Sequence, residues 1–263
     1  MSFTFVSCFF DINREHKGDG RSIREYLQWI EKTLKLNANL YIVTEQKFES
    51  FFREHMHSNT VLKIINFTDL HYYKYYNQIC DITSSESFKN KIKHPNRVEC
   101  ILPEYNIIQY SKFHVLEMAI KENPFKSDFF FWIDAGVSRF FGNVDISKSY
   151  PGPQFSELVK QISNQSNKFF IQSRSTLEYY PIDENFIWDS TNLLSGGMFG
   201  GNANAIKNIA EKTEEIFQYM LSQNCVNNEQ LALAMVWKNN PELFFTITNI
   251  YAQDLPIFTI FSN

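Results

Sequence analysis

The sequence lacks the features that mark several common protein classes. Its four cysteines are widely spaced and form no Cys-x-x-Cys pair, which disfavours a disulfide framework and a zinc site. No apolar run is long enough to cross a membrane, and the apolar start Met1–Phe10 has no preceding basic region of the kind a signal peptide has. A net charge of −4 without a long basic block disfavours nucleic-acid binding. We therefore expect a soluble, cytoplasmic protein with no nucleic-acid partner.

Histidine is absent from the second half of the chain. All six histidines precede position 115, and His55 and His57 are two residues apart, so they would not share one face of a helix. The chain also has no Gly-x-Ser-x-Gly sequence, the turn that presents the nucleophile of many hydrolases. These absences disfavour a helical zinc motif and a Ser–His–acid hydrolase.

The order of the predicted elements indicates an α/β protein. Hydrophobic residues make up 44% of the 263 residues, which is an ordinary globular composition. Strands alternate with helices near the N-terminus, as in βαβ units around a parallel sheet. Predicted strands cover Phe3–Phe10, Asn39–Thr44, Val61–Ile65, Phe129–Ile133, Lys168–Gln172 and Leu243–Thr248. Predicted helices cover Ile23–Leu34 after a Ser22 cap, Glu45–His57, Tyr105–Glu122, Phe155–Asn164, Asn202–Ser222 and Asn227–Trp237.

The segment Phe67–Pro103 shows no sustained period and is rich in Tyr, Asn, Ser and Lys. We expect short helices and a mobile loop in it. The sequence contains no repeat, low-complexity segment or convincing linker, so residues 1–263 are predicted to form one domain.

The stretch around Asp134 is the first candidate for chemistry. Five apolar residues, Phe129–Ile133, lead directly into it, and such a run predicts a strand that is buried on both faces. Asp134 would then lie at the carboxyl end of the strand, where open α/β sheets bind ligands. A turn acid is the alternative interpretation, but the nearby Arg139 favours a pocket for an anionic group.

Four of the nine glycines lie between Ser195 and Gly201. The cluster is neither a P-loop nor a Gly-x-Gly-x-x-Gly sequence. One interpretation is a bulged turn in which the glycines adopt positive φ. The other, which we favour, is a loop whose glycines let a ligand approach the backbone and the Ser195 hydroxyl.

Two further carboxylates precede or follow this cluster. Glu229 lies in Asn227–Gln230 at the start of a predicted helix. Because Asn caps are common and a helix N-terminus stabilises an acid, a purely structural role accounts for this pattern when it is taken alone. Asp189 precedes the glycine cluster, and nothing around it gives a second signal.

The chain resembles the HtrL/YibB family, and more broadly the GT-A type of nucleotide-sugar glycosyltransferase, in the stretch Phe131–Gly136 with Arg139 downstream. The order of motifs also matches, from βαβ units and the Asp134 strand to the glycine cluster and an acid–Gln pair at Glu229 and Gln230. The resemblance implies a GT-A-like (Rossmann-like), mostly parallel sheet flanked by helices. It also implies transfer of a sugar from a UDP-type nucleotide-sugar donor to a glycan acceptor.

The resemblance also implies roles for individual residues. Asp134 matches the first acid of the Asp-x-Asp motif, which contacts the donor nucleotide and a metal ion. The acid of the Glu229–Gln230 pair would lie near the anomeric carbon. The donor side would include Ser7, Phe9, Arg21 (or Arg24), Lys112, Asp134, Ala135, Gly136 and Arg139, and the loop beneath the sugars would include Ser195, Gly196 and Gly197.

Two departures from that pattern concern the metal ion. Gly136 stands where the second acid of Asp-x-Asp is expected, and no histidine exists near the C-terminus to complete a metal site. In the family pattern, a Mn²⁺ or Mg²⁺ ion bound by the acid that Asp134 matches offsets the charge of the leaving diphosphate. Arg139, Arg174 or Lys112 are the residues that would supply positive charge in its place.

Two functions from different classes follow. The first is a glycosyltransferase in which Glu229 or Asp189 acts as the base if the anomeric centre inverts, with retention left open. The second is a catalytically inactive sugar- or nucleotide-binding module in glycan assembly. The observation that suggests it is the missing second acid of the Asp-x-Asp motif. A nucleotidyltransferase is a third, disfavoured because a Gly-rich, basic N-terminal signature is absent.

Overall fold

The computed structural model describes residues 1–141, 145, 147, 150–151 and 155–248. Within them, seven strands form one sheet. The strands are β1 (Phe3–Phe9), β2 (Asn39–Thr44), β3 (Thr60–Ile64), β4 (Phe129–Ile133), β5 (Phe169–Ser173), β6 (Leu194–Gly201) and β7 (Phe244–Thr248). Their order across the sheet is β3-β2-β1-β4-β6-β5-β7. β6 is antiparallel to β4 and β5, and the other neighbouring pairs are parallel.

Helices cover both faces of this sheet. The α-helices are α1 (Arg14–Lys17), α2 (Ile23–Thr33), α3 (Glu49–His55), α4 (Tyr76–Ser84), α5 (Glu86–Lys91), α6 (Val98–Ile101), α7 (Pro103–Glu122), α8 (Phe155–Asn164), α9 (Ala203–Ser222) and α10 (Glu229–Asn239). Short 3-10 helices cover Gln46–Phe48, Phe67–Asp69, His71–Tyr75, Val137–Phe140, Leu177–Tyr179, Glu184–Trp188 and Pro241–Leu243. None of the described helices combines the length and apolar character needed to span a bilayer.

Alternating side chains of the central strands form two hydrophobic cores. Val6 and Trp132 belong to the core that includes α4, α7, α9 and α10. Phe5 and Phe131 belong to the core that includes α2, α3 and α8 on the opposite face. β4 lies between β1 and β6, and all five of its residues are buried. An uninterrupted apolar run is the pattern expected of a strand that is covered on both sides.

The predicted α/β architecture with a mostly parallel sheet is confirmed. Each strand predicted from the sequence is present, with ends that differ by at most one residue. The Ser22 cap is also confirmed: Ser22 accepts a hydrogen bond from the Glu25 amide while the Glu25 carboxylate accepts one from the Ser22 amide, which is a capping box. The strand that the sequence analysis missed is β6.

The segment Phe67–Pro103 contains the short helices expected there. Ile79, Phe88 and Cys100 are buried in the core, so the helices pack against the rest of the protein. Each helix is too short to show a sustained hydrophobic period, which is why the sequence looked irregular. The prediction of one domain extends to residue 263, beyond the described residues, and stays a prediction.

Candidate functional site

An open cavity lies at the carboxyl ends of β1 and β4. Within the sheet, the neighbour of β1 on one side is β2, which follows it in the chain. Its neighbour on the other side is β4. This arrangement is a topological switch point, where open α/β sheets form their ligand crevices. The cavity has about 800 Å³ of empty space, counting the part that opens to solvent. Its walls include Cys8, Phe9, Phe10, Asp11, Arg14, Arg21, Tyr26, Tyr105, Gln109, Lys112, Trp132, Asp134, Ala135, Gly136 and Arg139.

Asp134 lies where the sequence predicted, directly after β4. Its Oδ1 atom accepts a hydrogen bond of 2.8 Å from Trp132 Nε1 and lies 3.2 Å from Lys112 Nζ. About 31% of the side chain is exposed toward the cavity opening. Burial acts to raise the pKa of Asp134, but Lys112 and Trp132 outweigh it and lower the pKa below its usual value. The carboxylate is therefore ionised at neutral pH.

Lys112 joins Asp134 to Glu229. Its side chain on α7 is 2% exposed, and Nζ donates to Glu229 Oε1 at 2.7 Å and to the Gly196 carbonyl at 3.0 Å. Burial alone would lower the pKa of Lys112, but the two carboxylates raise it well above its usual value. Lys112 was predicted to belong to the donor-binding wall, and it lines the cavity. The structure places its ammonium between two acids, because α7 is buried on several sides and encloses the residue.

Glu229 is the first residue of α10 and is fully enclosed. Its Oε1 atom accepts from Lys112, and its buried Oε2 atom has no hydrogen-bond partner among the described residues. Burial raises the pKa of Glu229 despite the nearby ammonium. Glu229 is not among the residues that line the cavity, so the predicted base has no direct contact with it.

The predicted loop from Ser195 to Gly201 is wrong: these residues form β6. A Cβ atom at Gly200 would collide with the backbone of Phe130 on β4, and a Cβ at Gly196 would collide with the Glu229 carboxylate. The glycines therefore allow close approach of protein groups. Both interpretations of the cluster placed it in a turn or loop. The sequence did not distinguish these from a strand, because close strand packing and a ligand approach require the same small residues.

β6 still contributes to the site through its backbone. The Gly197 carbonyl accepts a hydrogen bond of 2.9 Å from the Asp134 amide, which fixes the start of the turn after β4. Ser195 is buried. Gln230 packs beside Gly196, and its Oε1 atom is buried without a hydrogen-bond partner in the described part of the chain.

Three arginines line the cavity. Arg139 and Arg21 were predicted, whereas Arg14 was missed. Arg14 forms two hydrogen bonds with Asp19, at 2.6 and 2.8 Å, and its guanidinium lies 4.7 Å from the centre of the Tyr105 ring. The position of Arg14 shortly after β1, at the ligand-binding edge of the sheet, was the signal that could have identified it.

Of the three arginines in the cavity wall, Arg139 has the least compensation by acids. Its guanidinium lies over the Trp29 and Phe140 rings, at 5.5 and 4.5 Å from their centres, and donates to the Gly136 carbonyl. No carboxylate lies within ion-pair distance of Arg139 in the described residues. Burial lowers the pKa of Arg139, although the charge of Asp134 partly opposes this shift. A partly desolvated guanidinium of this kind favours an anionic ligand.

Some of the other predicted residues line the cavity, and the rest lie outside it. Phe9, Ala135 and Gly136 line the cavity. Ser7 faces a separate, smaller cavity beside Thr33, and its buried hydroxyl has no partner among the described residues. Arg24 and Arg174 are exposed, and only Arg174 is close enough to interact with the charges of Asp134 and Glu229.

The carboxylate of Asp189 is occupied by hydrogen bonds and an ion pair within the protein. Its Oδ1 atom accepts from the amides of Ser190 and Thr191, and its Oδ2 atom pairs with Lys93 at 2.5 Å. Burial would raise the pKa of Asp189, but the hydrogen bonds from Lys93 and this turn lower it to about 2. Asp189 does not line the cavity, and a carboxylate of such low basicity is a poor general base at neutral pH.

The residues at Asp134 do not fit the expected divalent cation. The described part of the chain contains no group of three or more His, Cys, Asp or Glu side chains arranged to hold a metal ion. Asp134 and Glu229, the two acids near this point, already share the Lys112 ammonium. A second acid at Gly136 would be crowded, because a Cβ there would lie 2.5 Å from Arg139 Nη1.

Comparisons with known proteins give a family match and similar solved structures. A comparison with curated proteins finds no match. Among solved structures, the apo form of mouse xyloside xylosyltransferase 1 is similar, with 12% identity and a TM-score of 0.46 over 94% of this chain and 85% of that chain. A family model described as "Bacterial protein of unknown function (HtrL_YibB)" matches residues 1–262. The family resemblance seen in the sequence motifs is therefore confirmed: the chain belongs to the HtrL_YibB family.

Proposed function

We propose that this protein is a glycosyltransferase that moves a sugar from a UDP-type nucleotide-sugar donor to a hydroxyl group of a glycan acceptor. The observation behind the proposal is the cavity at the switch point, where an ionised Asp134 and three arginines face one space of about 800 Å³.

The positive groups are suited to the diphosphate of the donor. Arg14, Arg21 and Arg139 line the same cavity, and planar guanidinium groups bind phosphate oxygens through paired hydrogen bonds. Arg14 and Arg21 both contact Asp19, whereas Arg139 forms no ion pair among the described residues. We therefore assign the principal phosphate contact to Arg139.

The aromatic groups are suited to the nucleoside. Phe9, Tyr26 and Tyr105 line the cavity near β1, and Phe9 and Tyr26 are neighbours with ring centres 5.7 Å apart. Nucleobases stack on aromatic side chains with little dependence on hydrogen-bond pattern. This wall accounts for binding of a nucleotide without selecting the base.

In the transfer step, the bond from the anomeric carbon to the diphosphate breaks and a bond from that carbon to the acceptor oxygen forms. The nucleoside diphosphate leaves with the electron pair, and one of its phosphate oxygens takes up the acceptor proton. Positive charge on the sugar is stabilised by a fixed carboxylate, and negative charge on the leaving group by guanidinium groups. We assign the first role to Asp134 and the second to Arg139. Glu229, enclosed behind Lys112, acts as a positioning residue in this scheme.

The test uses Asp134→Asn and a matched control at the other end of the same strand. Asp128 precedes β4 and its side chain is 59% exposed, so Asp128→Asn removes a carboxylate remote from the cavity. Calorimetry with UDP-sugars measures donor binding. Donor-hydrolysis and transfer assays should then show turnover by the wild type and Asp128→Asn. Asp134→Asn should reduce turnover at least about 100-fold, the size of effect expected when one electrostatic contact to the transition state is lost. Wild-type turnover in a folded Asp134→Asn protein would contradict the proposal.

A binding module without catalysis is the second candidate. It is favoured by the environments of the two predicted bases, since Glu229 is enclosed and the Asp189 carboxylate is occupied by hydrogen bonds. Binding of a nucleotide sugar with no turnover of any donor would support this function over transfer.

A further inference from the structure

We infer that the Lys112 ammonium takes the place of a divalent cation between Asp134 and Glu229, so that the nucleotide ligand binds without a metal ion at Asp134. The first part concerns the cation site alone and rests on side-chain contacts. The second part, on the nucleotide, rests on the proposed function.

The contacts of Lys112 occupy a position that a hard cation would take. Nζ lies 3.2 Å from Asp134 Oδ1, 2.7 Å from Glu229 Oε1 and 3.0 Å from the Gly196 carbonyl oxygen. Two carboxylates and a carbonyl are the ligand types that Mg²⁺ and Mn²⁺ prefer. Here these three oxygens converge on an ammonium group that the protein itself supplies.

The ammonium is enclosed where it lies. Lys112 is 2% exposed, lies on a helix that is buried around this residue, and is held beneath the Trp132 ring at 5.6 Å from its centre. A divalent ion that bound both acids would have to share this space with a buried positive charge. Repulsion between like charges is strong where solvent cannot screen it.

A second acid at the neighbouring position would displace side chains that now lie there. A Cβ at Gly136 would lie 2.5 Å from Arg139 Nη1 and 2.9 Å from Trp29 Cε3. The space that an aspartate would need there is filled by a guanidinium and an indole ring. Lys112 therefore neutralises the acids inside the protein, while Arg139 presents positive charge to the cavity.

Binding of Mn²⁺ alone tests the cation site without reference to catalysis. Free Mn²⁺ is measured by electron paramagnetic resonance in titrations of the wild type, Asp134→Asn, Lys112→Ala and the double variant Lys112→Ala/Asp134→Asn. The control Lys121→Ala removes an exposed lysine from the same helix. Neither the wild type nor the control should have an Mn²⁺ site that depends on Asp134. Lys112→Ala should gain one Mn²⁺ per chain with affinity at least about tenfold above the wild type, and the double variant should lose it.

Two results would overturn the inference. One is stoichiometric, Asp134-dependent Mn²⁺ binding in the wild type, and the other is a folded Lys112→Ala protein without any gain in Mn²⁺ affinity. Circular dichroism establishes whether Lys112→Ala is folded.

A second measurement on the wild type covers the case in which Lys112→Ala does not fold. The dissociation constant of UDP should differ by less than about tenfold between EDTA and Mn²⁺, and a larger gain with Mn²⁺ would overturn the inference. If UDP binds under neither condition, the proposed function fails, while the wild-type Mn²⁺ titration still decides the cation site.

Discussion

Replacing Lys112 with methionine should destabilise the protein strongly. Methionine keeps an unbranched side chain of similar length in the core and removes only the charge and its hydrogen bonds. In the wild type, Nζ donates to Glu229 and to the Gly196 carbonyl and lies 3.2 Å from Asp134. Lys112→Met would leave the Glu229 carboxylate buried at 0% exposure without any charge partner within hydrogen-bond distance in the described residues.

The size of the effect follows from that burial. Removing one member of a buried ion pair costs about 3–5 kcal/mol in the free energy of unfolding, because the remaining charge is left uncompensated. For a chain of this size, a loss of that magnitude lowers the midpoint temperature by roughly 6–20 °C. Lys112→Met/Glu229→Gln should recover at least about 1 kcal/mol of the loss, since the double variant no longer buries that carboxylate.

Acidification should reduce the defect of the single variant. Burial already raises the pKa of Glu229 in the wild type, and loss of the ammonium removes the group that opposes this shift. A carboxyl group with a raised pKa in the folded state binds more protons than in the unfolded state, so it stabilises the fold as the pH falls. The difference from the wild type should therefore be largest at pH 7 and shrink toward about pH 4, the unperturbed range of a glutamate.

The assay is urea unfolding followed by circular dichroism, at several pH values. Lys121→Met, on an exposed position of the same helix, is the matched control and should lie within about 0.5 kcal/mol of the wild type. The reasoning is refuted if Lys112→Met is as stable as the control. It is also refuted if the effects of Lys112→Met and Glu229→Gln simply add, because the two groups would then not interact.

Three further outcomes are expected. Arg139→Ala should weaken UDP binding in calorimetry about 10- to 100-fold, the cost of losing charged hydrogen bonds, and unchanged affinity would place the phosphates elsewhere. Gly200→Ala should lower the free energy of unfolding by about 1–3 kcal/mol in urea, because its Cβ would meet the Phe130 backbone. Asp189→Asn should cost about 1 kcal/mol at pH 7, since its Lys93 partner is 62% exposed and screened. Because the folded pKa of Asp189 is about 2, this difference should persist near pH 5 and vanish as the pH falls from about 4 to 2; a constant difference would exclude the ion pair as its source.

Local patterns predicted most of the sheet and one feature of the site. The uninterrupted apolar run Phe129–Ile133 requires cover on both faces, and it is a central strand that ends at Asp134. The Ser22–Glu25 spacing specifies a capping box, which forms. These features depend on residues close together in the chain, so their physical basis is visible in the sequence.

Residues that meet across the fold were assigned less well. Ser195–Gly201 was expected to be a loop, because glycine permits a tight turn, a ligand approach or close strand packing equally. Only the position of β4 beside it decides that Gly200 serves strand packing. Asp189 was a candidate base until the Lys93 pair and the turn amides accounted for its carboxylate.

The sequence by itself determined the order of six of the seven described strands and of the longer helices between them, the family, and the place of Asp134 at the end of a buried strand. These follow from hydrophobic periodicity and short motifs, which act over a few residues. Only the tertiary structure decided that Lys112, Asp134 and Glu229 meet, and that Arg14 joins Arg139 at the cavity. The reason is that burial and charge pairing depend on which distant elements pack together, and Lys112 and Glu229 are 117 residues apart.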